Sequence, residues 1–178
     1  MRTPHLLATH AAAGDPEGPY RHAELALWDE LMSSFEGYPR SWLSLEEGAW
    51  VLGEEVDELW DEVRHNRIGC ARAEAVQVAA MAVRFIADLY EPAGSVRERC
   101  RVALVEQRGL RTAVGPAGRV LSSTHEAFGF VKREFDSLWS ATCFRDVAQP
   151  AAGRVAAASV RFVAEITPVS AAVGGLSL

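Results

Sequence analysis

Residues 47–60 read EGAWVLGEEVDELW and residues 126–139 read EAFGFVKREFDSLW, and the two segments align without a gap. The alignment sets Glu47 against Glu126, Glu55 against Glu134, Asp57 against Asp136, and Leu59-Trp60 against Leu138-Trp139. Further on, Val83-Arg84-Phe85 matches Val160-Arg161-Phe162, and Asp88 falls opposite Glu165. Both copies carry apolar residues at helical spacing, so each has one face that must be covered by another helix. A chain that repeats such a segment together with its successor is expected to fold as two similar helical halves.

Local signals agree with helices throughout. Ser44-Leu-Glu-Glu47 and Ser123-Thr-His-Glu126 are capping boxes, and Ser95-Val-Arg-Glu98 is a third. Gly and Pro clusters divide the chain into six helical stretches, near 21–35, 44–65, 71–90, 95–107, 123–142 and 151–166. The expected inward stripes are Leu25, Trp28, Leu31 and Phe35 in the first, and Leu52, Val56, Leu59 and Val63 in the second. In the third they are Val76, Val83, Ile86 and Tyr90. No segment alternates as a strand does. The expectation is an all-α fold, a helical bundle built from halves 21–94 and 95–167. A flexible lead, 1–20, precedes them and a tail, 168–178, follows.

Charge narrows the function. The formal net charge of −6 argues against general affinity for nucleic acid or an anionic membrane surface. No apolar run is long enough for a spanning helix, and the first residues lack the pattern of a secretory signal. The three cysteines, Cys70, Cys100 and Cys143, share no ligand-like spacing and read as buried, reduced thiols, so a cytoplasmic protein is expected. Between Glu46 and Glu62 stand eight carboxylates and no base; Arg64, Arg67 and Arg72 follow at once. A solvated helix face would give the same string, and that is the reading taken for Asp57, Asp61 and Glu62.

Glu54, Glu55 and Glu58 differ from their neighbours in two respects. Positions three or four apart share a helix face, so Glu55 and Glu58 converge, with Glu54 at the edge and Glu74 approaching from the next helix. Convergent carboxylates are costly unless a positive charge lies between them, and a hard divalent cation is the usual answer. The second copy keeps Glu134 opposite Glu55 but has selectively lost most of this set. Opposite Glu54, Glu58, Glu74 and Gln77 stand Arg133, Ser137, Ala151 and Arg154. One acidic site per chain, propped by a degenerate partner, is the simplest account.

The run GEEVDELWDEV, with Glu55-x-x-Glu58 followed by Glu74-x-x-Gln77, resembles the MazG-like all-α nucleotide pyrophosphohydrolases over residues 42–89. A fainter echo covers 123–166. The motif of that superfamily is Glu-x-x-Glu, a spacer, then Glu-x-x-Asp; here Gln77 stands where the aspartate belongs. The resemblance implies a nucleotide substrate and one or two Mg²⁺ ions, with Mn²⁺ as a substitute, held by Glu55, Glu58, Glu74 and Gln77. It implies hydrolysis of a nucleoside triphosphate to a monophosphate and pyrophosphate, with Glu54 or Glu55 acting on the attacking water. Asp88 cannot fill the gap at Gln77, since it lies about 21 Å further along a helix axis from Glu74. The family's substrate-holding lysine and asparagine have no match, because Lys132 is the sole lysine and belongs to the degenerate half. Phosphate contacts are therefore assigned to Arg64, Arg67, Arg72 and Arg84, and base stacking to Trp50, Trp60 or Trp42.

Other chemistries find no support in the sequence. Glu62-x-x-His65 has di-iron spacing but occurs once, no paired histidines suggest zinc, and no phosphate loop or nucleophile motif is present. The alternative to an enzyme is a catalytically inactive descendant that binds a nucleotide or a protein partner. Duplication within the chain would let it act as a monomer, and leftover apolar faces would instead make a homodimer.

Overall fold

The structure, a computed structural model, describes residues 15–90 and 93–167. It contains six α-helices: α1 (Gly18–Gly37), α2 (Leu45–Arg64), α3 (Ile68–Leu89), α4 (Val96–Leu110), α5 (Thr124–Ala141) and α6 (Arg145–Glu165). A 3-10 turn, Arg111–Ala113, follows α4, and no strand occurs among the described residues. The fold is an all-α bundle. Residues 1–14 of the lead expected over 1–20, the tail expected over 168–178 and Pro92 lie outside the described residues.

The long, alanine-rich helices α3 and α6 pack against each other at the centre. Small side chains let their backbones approach, and both helices are buried over most of their length. α2 covers α3 and α5 covers α6, while α1 and α4 each lie across both central helices. The amphipathic pattern of α2 explains its seat, since Leu52, Val56, Leu59 and Val63 are all fully buried. Gly48 allows the closest approach. A Cβ there would stand 2.7 Å from the Phe85 ring and 2.9 Å from the Trp42 ring.

The same contacts recur in the two halves at corresponding places. Ser44 caps α2 by accepting from the Glu47 backbone N–H, and Ser123 caps α5 by accepting from that of Glu126. The side chains of Glu47 and Glu126 each accept from a backbone N–H just before the cap, that of Leu43 and that of Ser122. Arg40 pairs with Glu47 as Arg119 pairs with Glu126. Deeper in, Arg84 with Asp88 and Arg161 with Glu165 form buried pairs one helical turn apart. Asp88 accepts from the Trp42 N–H and Glu165 from the Leu121 N–H, so each pair pins the loop that leads into the covering helix.

Several expectations need correction. Helix α1 begins at Gly18, not near 21, because Pro19 sits in the first turn where its missing N–H costs nothing. Helix α6 begins at Arg145, six residues early; Phe144 takes the first backbone bonds, and the helix runs on through Pro150. On helix α1 the expected stripe holds at Leu31, with Trp28 and Phe35 half-buried against the core, but Ala23 and Leu27 face inward and Leu25 is 62% exposed. Of the cysteines, only Cys100 is buried; Cys70 and Cys143 are exposed, and all three are free. No helix among the described residues is long and apolar enough to cross a membrane.

Candidate functional site

The middle of α2 and the first half of α3 bring Glu55, Glu58 and Glu74 together. One carboxylate oxygen from each lies within 4.8 Å of the other two. Glu55 and Glu74 are half-buried and Glu58 is exposed, so the cluster opens to solvent on one side. Desolvation, then the charges of Glu58 and Glu74, then those of Glu30 and Glu54, push the Glu55 carboxyl up to about 7. Desolvation and the charges of Glu58 and Glu62 also raise Glu74, against a hydrogen bond from Gln77 that lowers it. These groups repel one another, and the cluster is stressed as it stands. Three hard oxygen donors from two helices are able to hold a divalent cation.

A cavity of about 770 Å³ adjoins the cluster, with Glu54, Glu55 and Gln77 in its wall. Trp42, Val51 and Met81 supply its apolar lining, and Glu30 reaches it from α1. Tyr38 and Arg40, from the loop between α1 and α2, complete the rim. The loop keeps its shape because Arg84 reaches across it. Its Nη1 donates to the Ser34 carbonyl and its Nη2 to those of Tyr38 and Arg40, while Nε donates to Asp88. The guanidinium also stacks over the rings of Phe35 and Trp42, at 4.3 and 5.2 Å.

The expected site residues divide accordingly. Glu55, Glu58 and Glu74 converge, and Glu54 lies beside them in the cavity wall but outside the trio. Gln77 donates its amide Nε2 to Glu74, so it orients that carboxylate and does not stand as a fourth acid. Of the four arginines expected to hold phosphate, Arg84 alone is in the cavity lining. Arg84 is 2% exposed with its donors committed to the loop. Arg64 pairs with Asp61, and Arg67 with Glu62. Arg72 is buried outside the cavity lining, with Nε and Nη1 unpartnered, and desolvation lowers its pKa. Trp50 is not at the cavity either; it is 63% exposed and meets Trp139 edge-on, at 4.7 Å, across the α2–α5 seam. Trp60 packs on Phe128 along the same seam. Of the three tryptophans named for base stacking, Trp42 is the one in the cavity. Sequence reasoning missed Glu30 and Arg40, which belong to α1 and its loop and carry no motif.

The corresponding place in the second half is informative. Glu134, opposite Glu55, is buried and receives a 3.0 Å hydrogen bond from Arg154, the residue opposite Gln77. Arg133, opposite Glu54, stands 3.6 Å from the same carboxylate. A tethered guanidinium thus sits where the first half presents the Gln77 amide among carboxylates. Compared with known proteins, the chain matches no family model, no curated protein and no solved structure.

Proposed function

We propose that the protein is a Mg²⁺-dependent nucleoside triphosphate pyrophosphohydrolase, MazG-like in motif, with one working site in a chain formed by internal duplication. The observation that carries this reading is the convergence of Glu55, Glu58 and Glu74 beside a cavity lined by Trp42 and large enough for a nucleoside. The donor set fits the metal: all three groups are hard carboxylates, and the raised Glu55 pKa marks a place where positive charge relieves repulsion. The Arg154–Glu134 pair supports it further, because the half that lost its acids gained a cation at the same place.

In this reading Glu55, Glu58 and Glu74 hold the ion and Gln77 fixes the orientation of Glu74. Bound Mg²⁺ supplies charge neutralisation at the phosphate oxygens and acidifies water. Glu54, free of the trio, takes the proton from the attacking water. The water oxygen bonds to phosphorus, the bridging P–O bond breaks, and pyrophosphate leaves the nucleoside monophosphate. Trp42 offers a face or edge to the base, and Arg40 is the exposed cation of the cavity rim.

Pyrophosphate release from a panel of canonical and modified nucleoside triphosphates, with Mg²⁺ or Mn²⁺, tests the reading. Turnover should require the metal and fall at least about a hundredfold in Glu58→Gln. A folded protein with no turnover across the panel would reject the hydrolase and leave a nucleotide-binding or protein-interaction module, with Gln77 as the lost acid.

A further inference from the structure

We propose that the groove between α1 and α4 docks an acidic amphipathic helix of a partner protein. Helices α2 and α5 close against one another through their aromatic seam. Helices α1 and α4 do not close, and a groove of about 550 Å³ is left between them. From α1 it is lined by Arg21, Leu25 and Trp28, at i, i+4 and i+7 on one face. From α4 come Arg97, Arg101, Val105 and Arg108. Leu25 and Val105 are 62% and 61% exposed, so the lining is apolar surface without a partner.

The rim is cationic in a chain whose net charge is −6. Arg97 and Arg101 stand 5.8 and 6.0 Å from the Trp28 ring and form no ion pair among the described residues. Arg21 pairs with Asp15, and the one carboxylate of the lining, Glu24, is engaged by Gln107 and Arg108, so Arg97 and Arg101 are the uncompensated cations of the rim. Arg97 to Arg108 spans about 16 Å, three helical turns. A small anion would use one end of such a stripe, whereas a helix with apolar residues at i, i+4 and i+7 and carboxylates on its flanks would use all of it. A concave groove with Leu25 and Val105 in its lining suits neither a flat bilayer nor the uniformly charged backbone of a nucleic acid. A second copy docking groove to groove would set arginine against arginine.

The test is independent of the hydrolase reading. A labelled synthetic peptide of about 18 residues, leucine along one face and glutamate on both flanks, is long enough to fill the groove. Fluorescence anisotropy compares it with a lysine-flanked counterpart, on the wild-type protein, on R97E/R101E and on Leu25→Asp. Expected are binding of the acidic peptide alone, weakened at least about tenfold by R97E/R101E and by Leu25→Asp, and falling with salt. No binding, equal binding of the lysine peptide, or indifference to R97E/R101E overturns the proposal. Sedimentation of the protein alone tests the other occupant. Concentration-dependent association abolished by R97E/R101E would assign the groove to a second copy, through the exposed acids of its α2, and would overturn the partner reading.

Discussion

Replacing Glu55 by glutamine should stabilise the metal-free protein at pH 8 and leave it nearly unchanged at pH 4. Burial and the neighbouring charges of Glu58 and Glu74 push the Glu55 carboxyl from an ordinary 4.5 up to about 7. In the unfolded chain the group ionises near the ordinary value. Between those two limits the folded state therefore keeps a proton that the unfolded state has released, and stability falls as pH rises through that window. Below it both states are protonated, and above it the penalty is complete. A rise of that size sets a ceiling of about 3.4 kcal/mol, at about 1.36 kcal/mol per pH unit. Glu55 is only half-buried and its repulsions are screened by water, so roughly 1–2 kcal/mol is expected. The amide cannot ionise and escapes this penalty. For a domain of this size the gain corresponds to a Tm about 3–6 °C higher. Thermal unfolding followed by circular dichroism in EDTA, at pH 4 and pH 8, reads it directly. Equal Tm values at pH 8, or an equal gain at both pH values, would refute the argument that Glu55 is held in a repulsive cluster.

Two further changes probe the wall of the site. Gln77→Asp adds a fourth carboxylate beside Glu74; Mg²⁺ affinity by calorimetry should rise roughly tenfold while the metal-free Tm falls, and an unchanged Kd would show that position 77 does not face the ion. Arg84→Met leaves Arg99 as the one cation beside the buried Asp88 and removes the donors to the Tyr38 and Arg40 carbonyls of the α1–α2 loop. It should cost about 3–5 kcal/mol, a Tm drop of about 9–15 °C, and a loss below about 1 kcal/mol would show that the loop is held by other contacts.

What the sequence made legible follows from how local each signal is. The stripe Leu52, Val56, Leu59 and Val63 could be read because a single amphipathic helix carries the whole pattern. Glu55 and Glu58 were legible for the same reason, being one turn apart, and Glu74 followed from its place near the start of the next helix. Arg84 was misread because an arginine among apolar residues looks like a surface cation; its partners, the carbonyls of Ser34, Tyr38 and Arg40, lie on a distant segment. Leu25 was misassigned because the face that α1 turns inward is chosen by α3 and α6, not by α1 alone. Glu30 escaped notice for a like reason, as its approach to the cluster depends on the packing of three helices. The start of α6 was missed because propensity counts Pro150 as a stop, while backbone bonds to Phe144 had already built the turn before it.

The guanidinium of Arg154 travels with the chain, so the α5–α6 hairpin meets every dilution, chelator and change of buffer with its counter-charge already in place. The α2–α3 hairpin has no such endowment, and its carboxylates must settle with whatever protons or ions the surroundings provide. One half of the molecule is thus indifferent to the composition of the medium and the other responds to it. On the reading proposed above, the copy that carries Arg154 is relieved of that dependence and serves as the backing for the copy that must take its counter-charge from outside.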